Sequence, residues 1–314
     1  MVPVAGAWSN RVFRLIVGAE AFAVKELRNP WGDARWFEWL DASWHFELAA
    51  IAAGVDAPEP VPNPDGGHCL AWVERDDNGA LAPIRVHRWV DGRPAESGPV
   101  GREVARWAGR TLATLHERAI RPADRTLFPM LNTDTADRWS DLIDAARRAK
   151  ATWADQLADV ADAVGVIADL ARAGGDHPDE EVMTHGDVDQ KNIVLGHSGP
   201  VLCDWDLVVP LVPRRELADA ALSLGAWRRL DVAKEVVTTY CRARRTAVTF
   251  EPADLGQSMM TGLDWIGFNV ERAIGLRDAD PEEAETAQRI VPSLLDHLPR
   301  RVDLALRVRD ALNA

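Results

Sequence analysis

Residues 183–206 read MTHGDVDQKNIVLGHSGPVLCDWD, and the reading of this stretch decides the fold. Asp187, Asp189, Asp204 and Asp206, together with His185 and Asn192, surround two short apolar runs, Ile193–Leu195 and Val201–Cys203. If the runs pair antiparallel around Gly196–Pro200, Leu195 lies opposite Val201, Val194 opposite Leu202 and Ile193 opposite Cys203. Asn192 then faces Asp204. Directly opposed residues have Cβ atoms roughly 4.5–5.5 Å apart, so an amide oxygen and a carboxylate placed there share a cation readily. Asp187 sits in the preceding loop, beside the pair without belonging to the ladder. Hard oxygen donors of this kind suit Mg²⁺, which keeps several waters and is usually shared with substrate phosphates. Taken singly, each of these residues reads as a turn or helix cap; their joint spacing is what points to a cation.

Around this stretch, the 314 residues are 47% apolar and 27% charged, which describes a folded chain long enough for two domains or for one domain of two lobes. The balance of 36 basic against 49 acidic side chains, a formal charge of −13, argues against nucleic acid or an anionic membrane as the main partner. Cys69, Cys203 and Cys241 are far apart and form no CxxC pair, as expected of a reducing compartment and not of a cysteine-built metal site. The opening MVPVAGAWSN lacks a basic region followed by an apolar one, and no run approaches the ~18 apolar residues of a membrane span. A cytoplasmic location is the expectation.

Upstream, RVFRLIV and AFAVKEL flank GAE and predict a β-hairpin. In ARWFEWLDASWHFELAAIAAG, residues 34–54, the spacing of Trp36, Trp39, Leu40, Trp44, Leu48 and Ile51 predicts a helix ending near Gly54. The proline-rich DAPEPVPNPDGG is a connector, and HCLAWVER and LAPIRVHRWV predict a second hairpin with a turn at Asn78-Gly79. Beyond DGRP the pattern turns helical: Val104, Trp107, Ala108, Leu112 and Leu115 keep i, i+3, i+4 spacing, and long amphipathic stretches recur at 136–173, 216–246 and 253–275. A last helix opens at Asp280-Pro281-Glu282-Glu283, and Pro292 is expected to bend or split it. In this half only the opening stretch looks strand-like.

HGDVDQKN at 185–192, followed by DWD at 204–206, resembles the catalytic and metal-binding segments of the aminoglycoside phosphotransferase and choline kinase family, relatives of the protein kinases. The resemblance implies an α+β, two-lobed protein-kinase-like fold: a small antiparallel-sheet N-lobe with one helix over residues 1–90, and a larger, mainly helical C-lobe over 91–314. By the same resemblance Asp187 accepts or orients the proton of a substrate hydroxyl, Asn192 binds one Mg²⁺ and Asp204 bridges the metal ions. His185 would brace the loop, and Asp206 would stand behind the metal-binding residues.

ATP is the implied cosubstrate, and the rest of the chain has the parts for it. Lys25, in FAVKEL, falls where the family carries its strand lysine. Alternation places it on the face of Ala23 and Leu27, where it either points beneath the lobe towards phosphates or stands in solvent on an edge strand. Glu47 on the following helix is its expected ionic partner, with Glu38 as competitor. GAWSNRVFRL resembles a phosphate-covering loop, with Ser9 and Asn10 as donors, and His87, Arg88 and Trp89 occupy the connector that would offer backbone groups to adenine. Two features depart from the family pattern. The first strand is short or absent, and Asp189 and Lys191 stand where many relatives carry His or Lys and then Gly. Lys191 reads equally as a contact to the transferred phosphate or as a solvated loop residue; Asp189 is a candidate substrate contact.

Residues beyond Asp206 normally form the acceptor side in this family. Candidates are Glu216 and Asp219, then Asp264, Trp265, Asn269, Glu271 and Arg272. Helical spacing puts Trp265, Asn269 and Arg272 along one face, which either binds a polyhydroxylated or amine-bearing acceptor or is half core and half surface. The implied reaction is ATP-dependent, Mg²⁺-assisted transfer of the γ-phosphate to a hydroxyl of an aminoglycoside or amino-sugar-like compound. A kinase of a choline-like alcohol or nucleoside, a catalytically inactive nucleotide-binding relative and a metal-dependent hydrolase are the alternatives. A protein kinase fits less well, because no APE-like segment follows DWD. Monomer and dimer are equally compatible with the sequence.

Overall fold

In the computed structural model of the chain, the N-terminal alternation resolves into three antiparallel strands, β1 (Val2–Val4), β2 (Arg11–Val17) and β3 (Glu20–Glu26). The structure describes residues 1–4, 10–28, 34–66, 69–74, 81–95, 98–128 and 132–313. Val17 pairs with Glu20, so Gly18 and Ala19 form a two-residue turn, and Gly18 supplies the positive φ of 62° that such a turn needs. The first strand is present and has three residues.

Helix α1 (Trp36–Ala52) buries Trp36, Trp39, Leu40 and Trp44 as the spacing predicts, but it also buries Phe46 and Glu47 and leaves Leu48 exposed. The proline-rich connector contains a short strand, β4 (Pro60–Val61), at the margin of the sheet, where a missing proline N–H is tolerated. β5 (Leu70–Glu74) and β6 (Leu81–Arg88) pair antiparallel; the expected Asn78-Gly79 turn between them lies outside the described residues. The strand order is β1-β2-β3-β6-β4, with β5 also on β6, so β3 is interior. The edge-strand reading of Lys25 is therefore overturned.

The chain continues through β7 (Gly92–Pro94), α2 (Arg102–Glu117), α3 (Asp134–Asp137), α4 (Trp139–Arg148), α5 (Ala154–Asp159) and α6 (Ala161–Gly174). Next come β8 (Val182–Thr184), β9 (Ile193–Gly196), β10 (Gly199–Leu202) and β11 (Val209–Leu211). It ends with α7 (Pro213–Leu224), α8 (Leu230–Arg244), α9 (Gly256–Ala273), α10 (Pro281–Leu306) and α11 (Val308–Leu312). More of the second half is strand than its pattern suggested: β7 pairs with β9, and β8 pairs with β11. Runs of three residues carry too few alternations to be seen in sequence.

The β9–β10 hairpin corrects the expected register. Leu202 pairs with Ile193, Val201 with Val194, Pro200 with Leu195 and Gly199 with Gly196, one residue away from the pairing proposed above. The loop shrinks to His197-Ser198. The last ladder bond runs from the Cys203 N–H to the Asn192 carbonyl at 2.8 Å, so Asn192 is opposed by Cys203 and not by Asp204. A turn of two residues keeps more strand paired than one of five, and with glycines at both ends the pattern alone did not specify the register.

The chain divides into two compact units: Met1–Pro129 with Glu181–Leu211 and Thr238–Arg244, and Met130–Glu180 with Val212–Val237 and Arg245–Ala314. Among the described residues, all the strands lie in the first. In the second, α10 starts with a capping box in which the Asp280 carboxylate accepts from the Glu283 N–H at 2.9 Å and Glu283 accepts from the Asp280 N–H at 3.1 Å. This helix runs on through Pro292 and Pro299 and is not split. Ala287, Val291, Leu295, Leu298 and Val302 are buried along its length, and that continuous packed face offsets the backbone bonds the prolines remove.

Candidate active site

The geometry starts at the αL turn after β10. Asp204 has φ 67° and ψ 60°, a conformation Asp tolerates better than most residues, and it turns the chain into a short 3₁₀ turn, Trp205–Leu207. The indole of Trp205 is buried, donates to the Leu202 carbonyl at 2.9 Å, and lies edge-on to His185 and tilted against Phe46 of α1. Trp39, also on α1, donates to the Val208 carbonyl at 2.6 Å. This packing holds α1 against the 204–208 segment.

Asp204 and Asp206 both meet Lys25. Its Nζ lies 2.5 Å from Asp204 Oδ1 and 2.5 Å from Asp206 Oδ2, with the lysine side chain only 14% exposed. Burial by itself lowers a lysine pKa, but the two carboxylates outweigh it and hold Lys25 above its ordinary value. Burial likewise favours a neutral Asp206, yet Lys25 and Arg85 keep that carboxyl well below the usual carboxylate range.

Glu47 is not the partner of Lys25. Its fully buried carboxylate is taken by the Arg85 guanidinium and, at 3.0 Å, by His87 Nε2. Arg85 reaches Asp206 Oδ1 with its other arm at 2.6 Å. Lys25 and Arg85 are directly opposed in the β3–β6 ladder, so two cations stand side by side on the sheet face, and Glu47, Asp204 and Asp206 separate their charges. Glu38, the competitor for Lys25, pairs instead with Arg35 at 2.7 Å. Arg85 was not foreseen. The available signal was a charged residue among the apolar positions of a strand, which demands a buried partner.

The second cluster is the loop after β8. Asn192 Nδ2 donates to both the carbonyl and Oδ2 of Asp187 at 2.9 Å, which turns Asn192 Oδ1 away as an acceptor. Lys191 Nζ lies 2.9 Å from Asp187 Oδ1 and 3.8 Å from Asp189 Oδ2. Burial lowers the Lys191 pKa, but Asp187 and Asp189 outweigh it, with a contribution from Asp204, so its pKa is raised. The Asp187 N–H donates to His185 Nδ1 at 3.3 Å, which places the imidazole proton on Nε2, 3.0 Å from the Cys203 carbonyl it donates to. Gly186 between them has φ 80°, and a Cβ there would come within 2.8 Å of the Leu207 carbonyl oxygen, so only glycine fits. Burial and then Asp204 push the Cys203 thiol up to about 12, which removes it as a nucleophile.

Among the described residues no group of three or more His, Cys, Asp or Glu side chains converges as a metal centre. The donor chemistry nevertheless fits a divalent cation. In the first cluster three carboxylates face Lys25, Arg85 and the His87 ring, and in the second two carboxylates face Lys191. Asp204 and Asn192 supply hard oxygens.

Other expected contacts fall as follows. Asn10 Oδ1 accepts from the Arg28 N–H at 3.0 Å, so here it acts as an acceptor; Ser9 lies outside the described residues. In the connector, the N–H groups of Arg88 and Trp89 already donate to the Glu59 and Ala21 carbonyls at 2.8 and 2.9 Å. Those two donors are committed to the backbone. In the second unit, Glu216 and Asn269 are buried, and Asn269 Nδ2 donates back to the Trp265 carbonyl at 2.8 Å. Trp265 stacks on Phe268, Arg272 covers the same ring and reaches Glu283 at 3.4 Å, and Glu271 accepts from Arg277 at 2.9 Å. Asp264 is half-buried, and burial raises its carboxyl pKa. Much of this face therefore serves the packing of α9.

Residues 1–250 match the model of a phosphotransferase enzyme family. No curated protein sequence matches the chain. Among solved structures, a spectinomycin phosphotransferase in complex with ADP and spectinomycin superposes with a TM-score of 0.73 at 10% identity, covering 99% of this chain and 93% of that one. A microcompartment-associated aminopropanol kinase gives 0.63 at 18% identity over 96% and 92%. A choline kinase from Cryptosporidium parvum Iowa II gives 0.57 at 11% identity over 98% and 91%. At these identities the likeness is one of fold, the protein-kinase-like architecture of small-molecule kinases.

Proposed function

We propose a specific activity for this chain, which belongs to the phosphotransferase enzyme family: transfer of the γ-phosphate of ATP to a hydroxyl of an amine-bearing small molecule, an amino-sugar or aminoglycoside-like compound first. The observation that carries this reading is the pairing of Lys25 with both Asp204 and Asp206 within one unit that also holds Asp187 on Asn192. Phosphoryl transfer asks the protein chiefly for positioning and charge neutralisation, and these residues are of the types that provide both.

In this reading Asp187 accepts the proton of the acceptor hydroxyl as that oxygen bonds to the γ-phosphorus and the bond from phosphorus to the β–γ bridging oxygen breaks, leaving ADP. Asn192 and Lys191 each occupy one oxygen of Asp187 and so fix its orientation while leaving lone pairs for the hydroxyl. Lys25 binds the nucleotide phosphates from the sheet. Asn192 Oδ1 and the Asp204 carboxylate would hold Mg²⁺, which when bound neutralises charge on the phosphates. Residues 1–90 form the nucleotide-binding lobe and 91–314 the acceptor-binding lobe. The choice of acceptor rests on the net charge of −13, which favours cations, and on the relatives of this fold named for choline and aminopropanol, both alcohols that carry a cationic nitrogen at neutral pH. An acceptor contact is assigned to Asp189, whose carboxylate suits an ammonium group.

The test is ATP consumption coupled to NADH oxidation across aminoglycosides, amino sugars, choline-like alcohols and nucleosides, with mass spectrometry for a phosphorylated product. An Mg²⁺-dependent product that disappears with Asp187→Ala is expected. ATP hydrolysis without any phosphorylated acceptor would point to the hydrolase alternative.

A further inference from the structure

Arg85 is fully buried, lies opposite Lys25 in the ladder, and joins Glu47 of α1 to Asp206 of the segment after β10. A lysine left alone with two carboxylates at 2.5 Å would be a poor phosphate ligand, because leaving them would strand a buried negative charge on Asp206. Arg85 removes that obstacle. It contacts Asp206 on Oδ1, the oxygen that Lys25 does not use, and it occupies Glu47, the other carboxylate that might have held Lys25.

We propose that Arg85 is a positioning residue that neutralises Asp206 and Glu47 from within the sheet and so frees Lys25 to leave the Asp204–Asp206 pair for a nucleotide phosphate. The second half of this statement rests on the reading of the chain as an ATP-dependent phosphotransferase; the first half concerns the charges alone. Asp206 in this arrangement is a permanent anchor for Arg85, whereas Asp204, with its side chain 38% exposed, is the carboxylate that Lys25 gives up to solvent and cation.

Turnover and urea titration of the full chain test it together. Arg85→Met should raise the KM for ATP severalfold and lower kcat less, because Asp206 then holds Lys25, and adding Asp206→Asn should return the KM towards wild type. Arg85→Lys, which keeps the charge but reaches one carboxylate, should fall between wild type and Arg85→Met, and it carries the test if Arg85→Met does not fold. In urea, the midpoint loss of the Arg85→Met, Asp206→Asn double variant should be smaller than the two single losses together, the sign of direct coupling. Additive midpoint losses, a kcat loss as large as the KM change, or no recovery of the KM in the double variant overturn the proposal. Failure of the wild type to bind ATP counts against the phosphotransferase reading, while the urea cycle still decides the role of Arg85.

Discussion

Two charged clusters occupy the first unit, and they are built differently. Around Arg85 the side chains are withdrawn from solvent: Arg85 and Glu47 are fully buried, Lys25 and Asp206 nearly so, and Glu47 and Asp206 each have a cation in contact. Around Asp187 the side chains are half open, with Lys191 51% exposed and Asp187 23%. The first cluster gains its strength from low dielectric and loses freedom by it; the second keeps access to solvent and so to a substrate. A buried network holds α1 and the 204–208 segment in place, and the Asp187 carboxylate stays open to solvent.

The comparison is most sharply broken by removing one group from each side. Asp187→Asn is expected to lower kcat by roughly 10²–10⁴-fold, the range for loss of a general base, with little change in the urea midpoint. Equal losses of activity and stability would place Asp187 with the structural cluster. Glu47→Ala, by contrast, should cost about 3–5 kcal/mol of unfolding free energy in urea titrations, since it leaves buried Arg85 without one of its two carboxylates. A stability within 1 kcal/mol of wild type would mean that water enters the cluster. Gly186→Ala forces a side chain against the Leu207 carbonyl at a positive φ and should destabilise by about 1–3 kcal/mol while lowering activity through displacement of Asp187.

The mildest effect is the pH dependence. Asp206 titrates below its unfolded value, so its contribution is complete above about pH 4–5 and is lost as the pH falls towards the depressed folded value. Lys25 titrates above its unfolded value, so its contribution is complete below about pH 10 and is lost only as the pH rises through the raised value. Between those limits the pair leaves stability flat. The gap in urea midpoint between wild type and Asp206→Asn should therefore be constant from pH 6 to 8 and narrow by pH 3.5 (all approximate). A gap that widens in acid would contradict the ion pairing.

Local patterns were legible where a residue's own preference governs. The hairpin loop at Gly18, the tryptophans of α1 and the helix start at Asp280–Glu283 each act within a few residues of themselves and formed where their patterns placed them, although the loop has two residues and not the three of GAE. The stretch at 136–173, in contrast, reads as one amphipathic run and folds as four short helices, because its breaks at Arg138, Lys150 and Val160 carry no glycine or proline. The hairpin register failed by one residue for a similar reason: Gly196 and Gly199 admit more than one turn.

The sequence by itself determined the hairpin–helix–hairpin order of residues 11–88 and the two apolar runs that pair as β9 and β10, since residue type and short-range spacing suffice for these. Tertiary structure alone decided who pairs with whom. Lys25 and Asp204 are 179 residues apart, and three acidic side chains were available to two cations on neighbouring strands. Coulomb attraction does not discriminate among like carboxylates; distance and burial do, and both are set only when β3 and β6 pair and α1 packs beneath them.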